Sequence, residues 1–360
     1  MNPVSAALLI WYKNNKRILP WREITDPYHI WISEVILQQT RVNQGVDYYL
    51  RFVEQWPDVK QLASASEQEV LKMWQGLGYY SRARNMLVAA QEIVNKYNGL
   101  FPRSADELKK LKGIGDYTAA AISSIAFDEP VAVIDGNVFR VLSRLFNEET
   151  AIDSSAAKTT FRMLADSLLE KSNPGEFNQA IMEFGALHCV PKNPDCRTCP
   201  LQDSCLAFAL KKVDQLPVKK NKIKIRKRFL HYFIFLQKEQ QQCYTLLKHR
   251  GSGDVWQGLY DFPCIESDRI LSIAELDHEQ LFTAIKTVAT EIIPFPGIRK
   301  HILTHQHLTA KFYVVKCKNG FEHLKNNSLS LVSQTELGNY PLPRLIDQFL
   351  HENENLFDNC

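Results

Sequence analysis

Hydrophobic and polar positions follow two different periods along this chain, and the period changes near residue 220. Before that point, apolar residues recur at the three- and four-residue spacing of amphipathic helices, as Val70, Leu71 and Trp74 do. After it, three runs rich in aromatic and β-branched residues indicate strands: 229–237, 243–250 and 300–315. Between these strands, 275–292 is expected to form one helix. The pattern predicts a helical domain followed by a smaller α/β domain.

The composition is that of an ordered globular protein. Its 360 residues are 45% hydrophobic and 23% charged, which suffices for about two domains, each with its own core. The formal net charge of +3 identifies no partner, but KKNKIKIRKR (219–228) holds seven basic residues and no acid. This segment is either a solvated linker or a basic strap that lies against a phosphate backbone. We expect domains at 1–218 and 229–360, joined by a basic linker at 219–228.

The first residues favour a cytoplasmic location. An apolar patch precedes the charged Lys13, Lys16 and Arg17, but it follows no basic leader and is followed by no small-residue cleavage site. No apolar run approaches the ~18 residues that a membrane helix needs. We therefore expect a cytoplasmic protein without a membrane partner.

Four of the eight cysteines lie in one short segment with the spacing C-x6-C-x2-C-x5-C: Cys189, Cys196, Cys199 and Cys205. Structural zinc sites usually consist of two short pairs separated by a longer arm, whereas only one pair is short here. Four thiolates in a single loop can instead wrap a cuboidal cluster, with one cysteine for each iron. In a reducing compartment, disulfides are the least favoured alternative. The spacing favours a 4Fe-4S cluster over zinc and over disulfides.

The segment 108–127 is typical of two helices joined by a tight turn. Gly113 and Gly115 permit close backbone approach, and the amides that begin the second helix point outward with the positive end of its dipole. Such a turn can hold one DNA phosphate without reading sequence. Alone it is more typical of a plain helix-helix connection, but together with the cysteine loop it favours DNA binding.

Two carboxylates stand in apolar surroundings. Asp135 follows an apolar run and precedes Gly136, so it either caps a helix or is aimed into a pocket. Glu34 interrupts the nearly apolar stretch 30–37. It is either a surface residue or a buried one, and burial would raise its pKa and keep it protonated at neutral pH.

The cysteine spacing resembles that of the helix-hairpin-helix DNA glycosylases, the group that contains endonuclease III and the MutY-type adenine glycosylases. SEVILQQT (33–40) is similar to the motif of the MutY type, and GDVWQGLYDFP (253–263) looks like a stretch of its C-terminal domain. The resemblance implies an all-α helix-hairpin-helix domain with an iron-sulfur loop at 189–205, followed by a Nudix-like α/β domain.

The function implied by this resemblance is that of a monofunctional DNA glycosylase in base excision repair. Such an enzyme flips adenine out of double-stranded DNA and hydrolyses its N-glycosidic bond where the adenine is mispaired with 8-oxoguanine or guanine. We expect a monomer that carries a 4Fe-4S cluster.

The resemblance also implies the roles of the catalytic residues. Glu34 is the general acid that protonates adenine, and Asp135 opposes the positive charge that develops on the sugar. Asn137 matches the neighbouring asparagine of the family, and Glu183 matches a further active-site acid. Tyr117 stands where lyases of the superfamily carry a lysine, and because a phenol cannot form an imine, we expect a hydrolase.

Further positions of the family correspond to contacts with DNA. Gln39 and Tyr79 match the residues that fill the gap left by the flipped base, and Arg82 and Arg84 suit phosphates. In the hairpin, Lys112 stands where the family usually has proline and adds a phosphate contact to those of the glycines. The predicted DNA-binding residues are Gln39, Tyr79, Arg82, Arg84, Lys112, Gly113 and Gly115.

The second domain is expected to recognise the base opposite the adenine. Leu303, Thr304 and His305 correspond to a Phe-Ser-His loop of the family that senses 8-oxoguanine; the hydroxyl is kept and the aromatic ring is lost. The histidines at 301, 305 and 307 are expected on one face of a strand, but with no cysteine or acid nearby they are a poor metal site. The only Arg-Glu pair, Arg22-Glu23, lies in the first domain, so a working Nudix hydrolase is not expected.

Three alternatives compete with this interpretation. The first is an endonuclease III-like glycosylase and lyase that acts on oxidised pyrimidines, against which Tyr117 and the second domain argue. The second is a non-catalytic DNA-binding iron-sulfur protein in which both carboxylates are structural. The third is a nucleotide hydrolase, which fails because the chain lacks the magnesium-binding helix.

Overall fold

Helices build the first part of the chain, and a mixed sheet with flanking helices builds the second. The computed structural model describes residues 2–221, 224–239, 241–317, 329–358 and 360. Contacts between Cα atoms divide the chain into two units. Unit 1 comprises Met1–Ser64 and Asn85–Asn221, and unit 2 comprises Ala65–Arg84 and Lys222–Cys360. Residues 222 and 223 of the predicted linker lie outside the described residues, and the predicted domain boundaries stay a prediction.

The helices of the first 221 residues are α1 (Pro3–Asn15), α2 (Pro27–Leu37), α3 (Val42–Gln55), α4 (Val59–Ser64), α5 (Glu67–Met73), α6 (Ser81–Tyr97), α7 (Ala105–Leu108), α8 (Asp116–Phe127), α9 (Gly136–Leu145), α10 (Ala157–Leu168), α11 (Pro174–Leu187) and α12 (Leu206–Ala209). Within the described ranges, no helix combines the length and the apolar character needed to cross a bilayer.

Helix α2 is buried on nearly all sides. Asp26 caps it by accepting the N–H of Tyr28 at 2.8 Å, and Pro27 occupies its first turn. Its apolar run has no polar stripe, as expected for a helix surrounded by protein. It packs against α8, where the small side chains of Ala119–Ala121 are buried. This packing places Glu34 inside unit 1.

Helices α1, α9, α10 and α11 share one hydrophobic core. Leu142, Phe161 and Phe184 are among its fully buried side chains. The core holds α9, which begins next to Asp135, against α11, which carries Glu183. Burial of the apolar faces therefore fixes the spacing between the two acidic residues.

Unit 2 contains a mixed sheet with a helix packed on each face. Its described strands are β1 (Arg226–Glu239), β2 (Gln242–His249), β3 (Tyr260–Asp261), β4 (Cys264–Ser267), β5 (Ala289–Pro294), β6 (Arg299–Ile302), β7 (Gln306–Cys317) and β8 (Leu329–Ser333). Strand β1 pairs in parallel with β7 and antiparallel with β2 and β4, while β5 and β6 pair antiparallel with β7. Its remaining helices are α13 (Ile273–Leu276), α14 (Gln280–Val288) and α15 (Arg344–Glu352). Phe282 of α14 packs on one face, and Phe349 of α15 stacks on Phe312 of β7 with ring centres 3.8 Å apart.

The prediction of one helix at 275–292 is wrong. The segment forms the end of α13, then α14, and finally most of strand β5. Ile292 and Ile293 of β5 pair with Val315 and Val314 of β7. These β-branched residues fit the pleated surface of the sheet, and pairing with β7 overrides the helical spacing of the apolar positions.

The prediction of one continuous strand at 300–315 is also wrong. The chain turns back at Leu303–Gln306, so that β6 and β7 form a hairpin. His301 pairs with Leu308 and Ile302 pairs with His307, which places His301 and His307 on opposite faces of the sheet. The expectation that the three histidines share one face therefore fails.

One disulfide joins a strand of unit 2 to the last residue of the chain. Cys243 on β2 is bonded to Cys360, and the Cα atoms of the pair are 5.9 Å apart. The bond closes a loop of 117 residues and so restricts the unfolded chain. Both cysteines lie outside the four-cysteine segment, for which disulfides were the least favoured alternative.

Candidate active site

A cavity of about 270 Å³ in unit 1 collects the predicted catalytic side chains: Glu34, Tyr117, Asp135, Asn137 and Glu183. Nothing in the sequence places the helix that carries Glu34 beside the one that begins at Asp135. The fold brings both carboxyl groups to the same cavity, because α8 packs on both α2 and α11, and α9 packs on α11.

Glu34 is enclosed in this cavity and is only 9% exposed. The Tyr117 hydroxyl donates a hydrogen bond to its Oε2. Burial raises the pKa of Glu34, while the Tyr117 hydrogen bond and the charge of Arg22 partly oppose the rise and Asp135 adds to it. Burial and the two carboxylates also hold the pKa of Tyr117 well above its usual value. Tyr117 is therefore a neutral donor, and the environment of Glu34 favours its protonated form.

Asp135 is both a helix cap and a lining residue of the cavity, so the two roles weighed for it occur together. Its Oδ1 accepts the backbone N–H groups of Asn137 at 2.9 Å and Val138 at 2.7 Å, and its Oδ2 accepts Nδ2 of Asn137 at 2.8 Å. Burial raises the pKa of Asp135, and these hydrogen bonds act in the opposite direction. Three donors aimed at one carboxylate stabilise its ionised form.

Glu183 lines the same cavity and forms ion pairs with two arginines. Its carboxylate accepts hydrogen bonds from Nε of Arg17 at 2.8 Å, from Nη2 of Arg17 at 2.6 Å and from Nη2 of Arg22 at 2.8 Å. Burial alone would raise the pKa of Glu183, but the hydrogen bonds and charges of the arginines overcome it and lower the pKa. The cavity thus holds Glu183 as an ionised acid, together with Glu34, whose environment favours the protonated form.

Sequence reasoning missed Arg17 and Arg22 as site residues. Both line the cavity, together with Leu19 and Trp21 from the same short segment. The segment RILPWR (17–22) mixes basic and aromatic residues just before an apolar helix, and this was the available signal. Glu183, the partner of both arginines, lies more than 160 positions away, so no local sequence pattern reveals these ion pairs.

Two arginines of α9 connect the active-site helix to the cysteine loop. Arg140 donates from Nη2 to Oδ1 of Asn137 at 2.8 Å and from Nε to the carbonyl of Cys189 at 2.7 Å. Arg144 donates to the carbonyls of Val190 at 2.8 Å and Pro191 at 3.1 Å, and its Nη1 lies 3.4 Å from Sγ of Cys189. Helix α9 therefore supplies side-chain donors to three consecutive carbonyls of the loop, at 189–191.

All four cysteines of the loop line one small cavity of about 30 Å³: Cys189, Cys196, Cys199 and Cys205. Burial, together with the neighbouring thiols, raises the pKa of Cys199 to about 11. A metal ion that coordinates such a thiol displaces its proton, so the four sulfurs can serve as thiolate ligands of an iron-sulfur cluster. Among the described residues, no group of three or more His, Cys, Asp or Glu side chains has the geometry of a site for one metal ion. The donor set itself is the one that a four-thiolate cluster requires.

The hairpin between α7 and α8 has a backbone that only glycine fits. At Gly113 φ is +79°, and an added Cβ would lie 2.6 Å from Cβ of Asn85. The backbone N–H of Lys112 donates to Oε2 of Glu92 at 3.0 Å and anchors the turn, while the Lys112 side chain is exposed. Helix α8 follows with Gly115 as its N-cap, and among the described residues no side chain makes a capping hydrogen bond to its N-terminal amides.

Gln39 and Tyr79, the predicted wedges, share an unusual backbone conformation. φ is 60° at Gln39 and 49° at Tyr79, in the left-handed region that favours glycine. Gln39 follows α2 in unit 1, and Tyr79 precedes α6 in unit 2. This conformation costs about 1–2 kcal/mol in a residue with a side chain, and such strain collects at functional sites.

In unit 2, Tyr79 meets the predicted recognition turn. Its hydroxyl shares a hydrogen bond with the hydroxyl of Thr304. Thr304 and His305 are exposed at the tip of the turn, and Leu303 is half-buried. The N–H of Leu303 donates to the carbonyl of Gln306 at 2.8 Å and closes the turn.

The predicted phosphate-binding arginines make contacts inside unit 2. Arg84 donates from Nη1 to the carbonyl of Gln257 at 2.5 Å. Arg82 donates to the carbonyl of Gly78 at 3.2 Å and lies over the ring of Trp74, and burial lowers its pKa to about 10. Their contact with phosphate stays a prediction.

Two domain families match the chain. Residues 32–166 match the HhH-GPD superfamily of base excision DNA repair proteins, and residues 231–352 match the NUDIX domain. The adenine DNA glycosylase of Mus musculus is 40% identical over 265 residues, which cover 71% of this chain and 50% of the relative. That of Buchnera aphidicola subsp. Baizongia pistaciae (strain Bp) is 36% identical over 267 residues, which cover 74% of this chain and 75% of the relative.

A solved structure supports the same fold. The structure of a thermostable thymine-DNA glycosylase is similar with a TM-score of 0.54 and 27% sequence identity, over 57% of this chain and 95% of that one. The chain spans about half the length of the mouse relative. The matches confirm the predicted fold class, a helical helix-hairpin-helix domain followed by a Nudix-like α/β domain.

Proposed function

The chain belongs to the adenine DNA glycosylase family, and from that premise we propose that it hydrolyses the N-glycosidic bond of adenine mispaired with 8-oxoguanine or guanine in double-stranded DNA. The observation that carries the proposal is the shared cavity of Glu34, Tyr117 and Asp135. A cavity of about 270 Å³ holds a base and not a duplex, so the adenine must leave the base stack to react.

Glu34 acts as the general acid of the reaction. Adenine is a poor leaving group until a ring nitrogen is protonated, and a buried carboxyl with a raised pKa supplies that proton at neutral pH. The Tyr117 hydroxyl fixes the carboxyl by its hydrogen bond. Glu183, kept ionised by Arg17 and Arg22, accepts a hydrogen bond from the base and holds it in place.

Asp135 stabilises the sugar as the base leaves. The departing adenine leaves a sugar with oxocarbenium character, and a carboxylate beside it lowers the energy of that state. Asn137 and the first amides of α9 hold the carboxylate in place. Water then completes the hydrolysis and leaves an abasic site.

Tyr117 supports a hydrolase and not a lyase. A lyase nucleophile must be an amine that can form an imine with the sugar, and the Tyr117 phenol is engaged with Glu34. An endonuclease III-like lyase on oxidised pyrimidines is therefore the weaker alternative.

The four cysteines of the loop would hold a 4Fe-4S cluster: Cys189, Cys196, Cys199 and Cys205. When bound, the cluster cross-links the loop through four thiolates. The loop presents the exposed side chains of Lys192 and Arg197 to the phosphate backbone, and α9 carries the loop through Arg140 and Arg144.

The hairpin and the wedges bind and open the duplex. The amides after Gly113, with Lys112 and Gly115, hold a phosphate, and Gln39 and Tyr79 fill the gap left by the base. Arg82 and Arg84 belong to the same DNA-binding set, and Leu303, Thr304 and His305 read the base opposite the adenine. The predicted monomeric state and cytoplasmic location stay predictions.

The test is strand cleavage of a duplex with one adenine opposite 8-oxoguanine, compared with and without alkali. Cleavage only after alkali is the expected result, since a monofunctional enzyme leaves an intact abasic strand. Cleavage without alkali would reveal a lyase, and no cleavage in either sample would favour the non-catalytic DNA-binding protein. Glu34→Gln should abolish adenine release, whereas the matched control Glu54→Gln, on the exposed side of α3, should not change it.

A further inference from the structure

A buried guanidinium ties the turn at Leu303–Gln306 to the interior of unit 2. Arg228, on β1, is 5% exposed and donates from Nη1 to Oε1 of Gln306 at 3.0 Å. Its Nε and Nη2 hold the carboxylate of Glu266 at 2.8 and 2.6 Å, and Nη2 also donates to Oδ2 of Asp254 at 3.0 Å. One side chain therefore joins the turn to β4 and to the segment 253–263.

A second arginine extends this network. Arg250 donates from Nη1 to Oδ2 of Asp254 at 2.7 Å and from Nε to Oδ2 of Asp261 at 2.7 Å. Its guanidinium lies 5.2 Å from the ring centre of Trp256. Buried charges are tolerated only when they are paired, so each partner restricts where the others can lie. The network fixes the position of the Arg228 guanidinium, which in turn fixes the side chain of Gln306.

The recognition turn is held at its C-terminal end and at its tip. On one side, Gln306 meets Arg228, and the backbone N–H of Arg226 donates to the carbonyl of His305 at 2.9 Å. On the other side, the hydroxyl of Thr304 meets that of Tyr79. Guanine and 8-oxoguanine differ in the oxygen on C8 and the hydrogen on N7. A hydroxyl can distinguish the two bases only if it is held at hydrogen-bond distance from these atoms.

We propose that Arg228 is a positioning residue that acts through Gln306 to set the selectivity of this turn for the base opposite the adenine. The inference rests on the proposed function and names a determinant of its substrate choice. Arg228 itself does not touch DNA in this role. It fixes Gln306, and Gln306 fixes the turn that carries Thr304.

The geometry requires an arginine and not merely a positive charge. A lysine would keep the charge, but it has no planar fork with which to hold Glu266 bidentately and to reach Gln306 as well. Arg226 provides a matched comparison on the same strand. It also pairs with Glu266, at 3.0 Å, but its side chain is 66% exposed, and exposed pairs contribute little.

The experiment measures single-turnover adenine release from two duplexes, with the adenine opposite 8-oxoguanine or opposite guanine. The variants are Arg228→Lys, Gln306→Ala and the control Arg226→Gln, each checked by thermal unfolding. We expect Gln306→Ala and Arg228→Lys to lower the ratio of the two rates by about tenfold, the effect of one hydrogen bond to a charged group. The rate opposite guanine should stay unchanged, and Arg226→Gln should keep the full ratio.

Two results would overturn the proposal. One is that both rates stay unchanged in folded Gln306→Ala, and the other is that both rates fall by the same factor, which a purely structural role predicts. If Arg228→Lys fails to fold, Gln306→Ala decides alone, because it leaves the ion pairs of Arg228 in place. If the unsubstituted protein released adenine from neither duplex, the proposed function would be wrong, and the role of Arg228 would fall with it.

Discussion

The hydroxyl of Tyr117 donates its hydrogen bond to the carboxyl of Glu34, the group assigned as the general acid. Both side chains are buried beside Asp135, and the hydrogen bond lowers a Glu34 pKa that burial raises. The phenol thus limits how firmly the acid keeps its proton. The strength of the acid therefore depends on a neighbouring phenol that keeps its own proton at neutral pH.

Tyr117→Phe should move the pH profile of adenine release. Without the donated hydrogen bond the Glu34 pKa rises further, so the fall of the rate at high pH should shift to higher pH. The plateau rate should drop by about tenfold, because the carboxyl loses a contact of about 1.4 kcal/mol that orients it. Single-turnover rates across pH check both effects. Tyr97→Phe, on α6, is the control, and a profile that does not move would separate Tyr117 from the acid.

Glu34→Gln should stabilise the protein while it removes activity. The pKa of Glu34 is higher in the folded protein than in the unfolded chain, where it has its ordinary value of 4.5. As the pH rises from 4.5 toward the raised pKa, the unfolded chain loses this proton while the folded protein keeps it, so the free energy of unfolding decreases. The variant should therefore exceed the unsubstituted protein by about 1 kcal/mol at neutral pH. The difference should vanish below about pH 4. Denaturant unfolding at several pH values measures it, and a gain that persists in acid would contradict the assignment.

Arg144→Met should loosen the cysteine loop. Arg144 donates to the carbonyls of Val190 and Pro191 and approaches Cys189, and these partly buried acceptors would lose their donor. Each unsatisfied group costs about 1–3 kcal/mol, enough to open the loop. We expect less iron and sulfide per protein molecule than in the unsubstituted protein. Arg197→Gln, at an exposed position of the same loop, should keep the full content, and equal content in both variants would argue against the role of Arg144.

Gln39→Gly should be more stable than Gln39→Ala by about 1 kcal/mol, because only glycine adopts a φ of 60° without strain. Both variants should release adenine more slowly, since the wedge is gone. The comparison of Gln61→Gly with Gln61→Ala in α4 should have the opposite sign, because glycine weakens a helix. Denaturant unfolding of the four variants supplies the measurement. The same sign at both positions would mean that Gln39 is not strained.

Motifs with a fixed spacing allowed much of the site to be predicted from the sequence. The four cysteines, the glycines of the hairpin and the carboxylates near 34 and 135 are each recognisable within a short segment. The ion pairs of Glu183 with Arg17 and Arg22 were not predictable, because they join segments that only the packing of α1 and α11 brings together.

The two errors in the second domain share a cause, which is that the local sequence carries no signal for the structure that forms. The turn at Leu303–Gln306 contains neither glycine nor Asn-Gly, the usual signals of a hairpin, so the segment was predicted as one strand. At β5, apolar residues kept a spacing compatible with a helix, and only pairing with β7 selects the strand. Both features depend on tertiary contacts and not on local preference.

The membership of Ala65–Arg84 in unit 2 has a consequence for how the chain is made. This segment leaves the ribosome early, yet its partners begin at Lys222, about 140 residues later. At about 5–20 residues per second, it must wait roughly 7–30 seconds without them. During synthesis, the contacts of this segment with later residues therefore form last, as for Lys72 Nζ with the carbonyl of Tyr340 at 3.2 Å and Gln75 Nε2 with Oδ1 of Asp347 at 2.7 Å, and a chaperone can bind the segment until then.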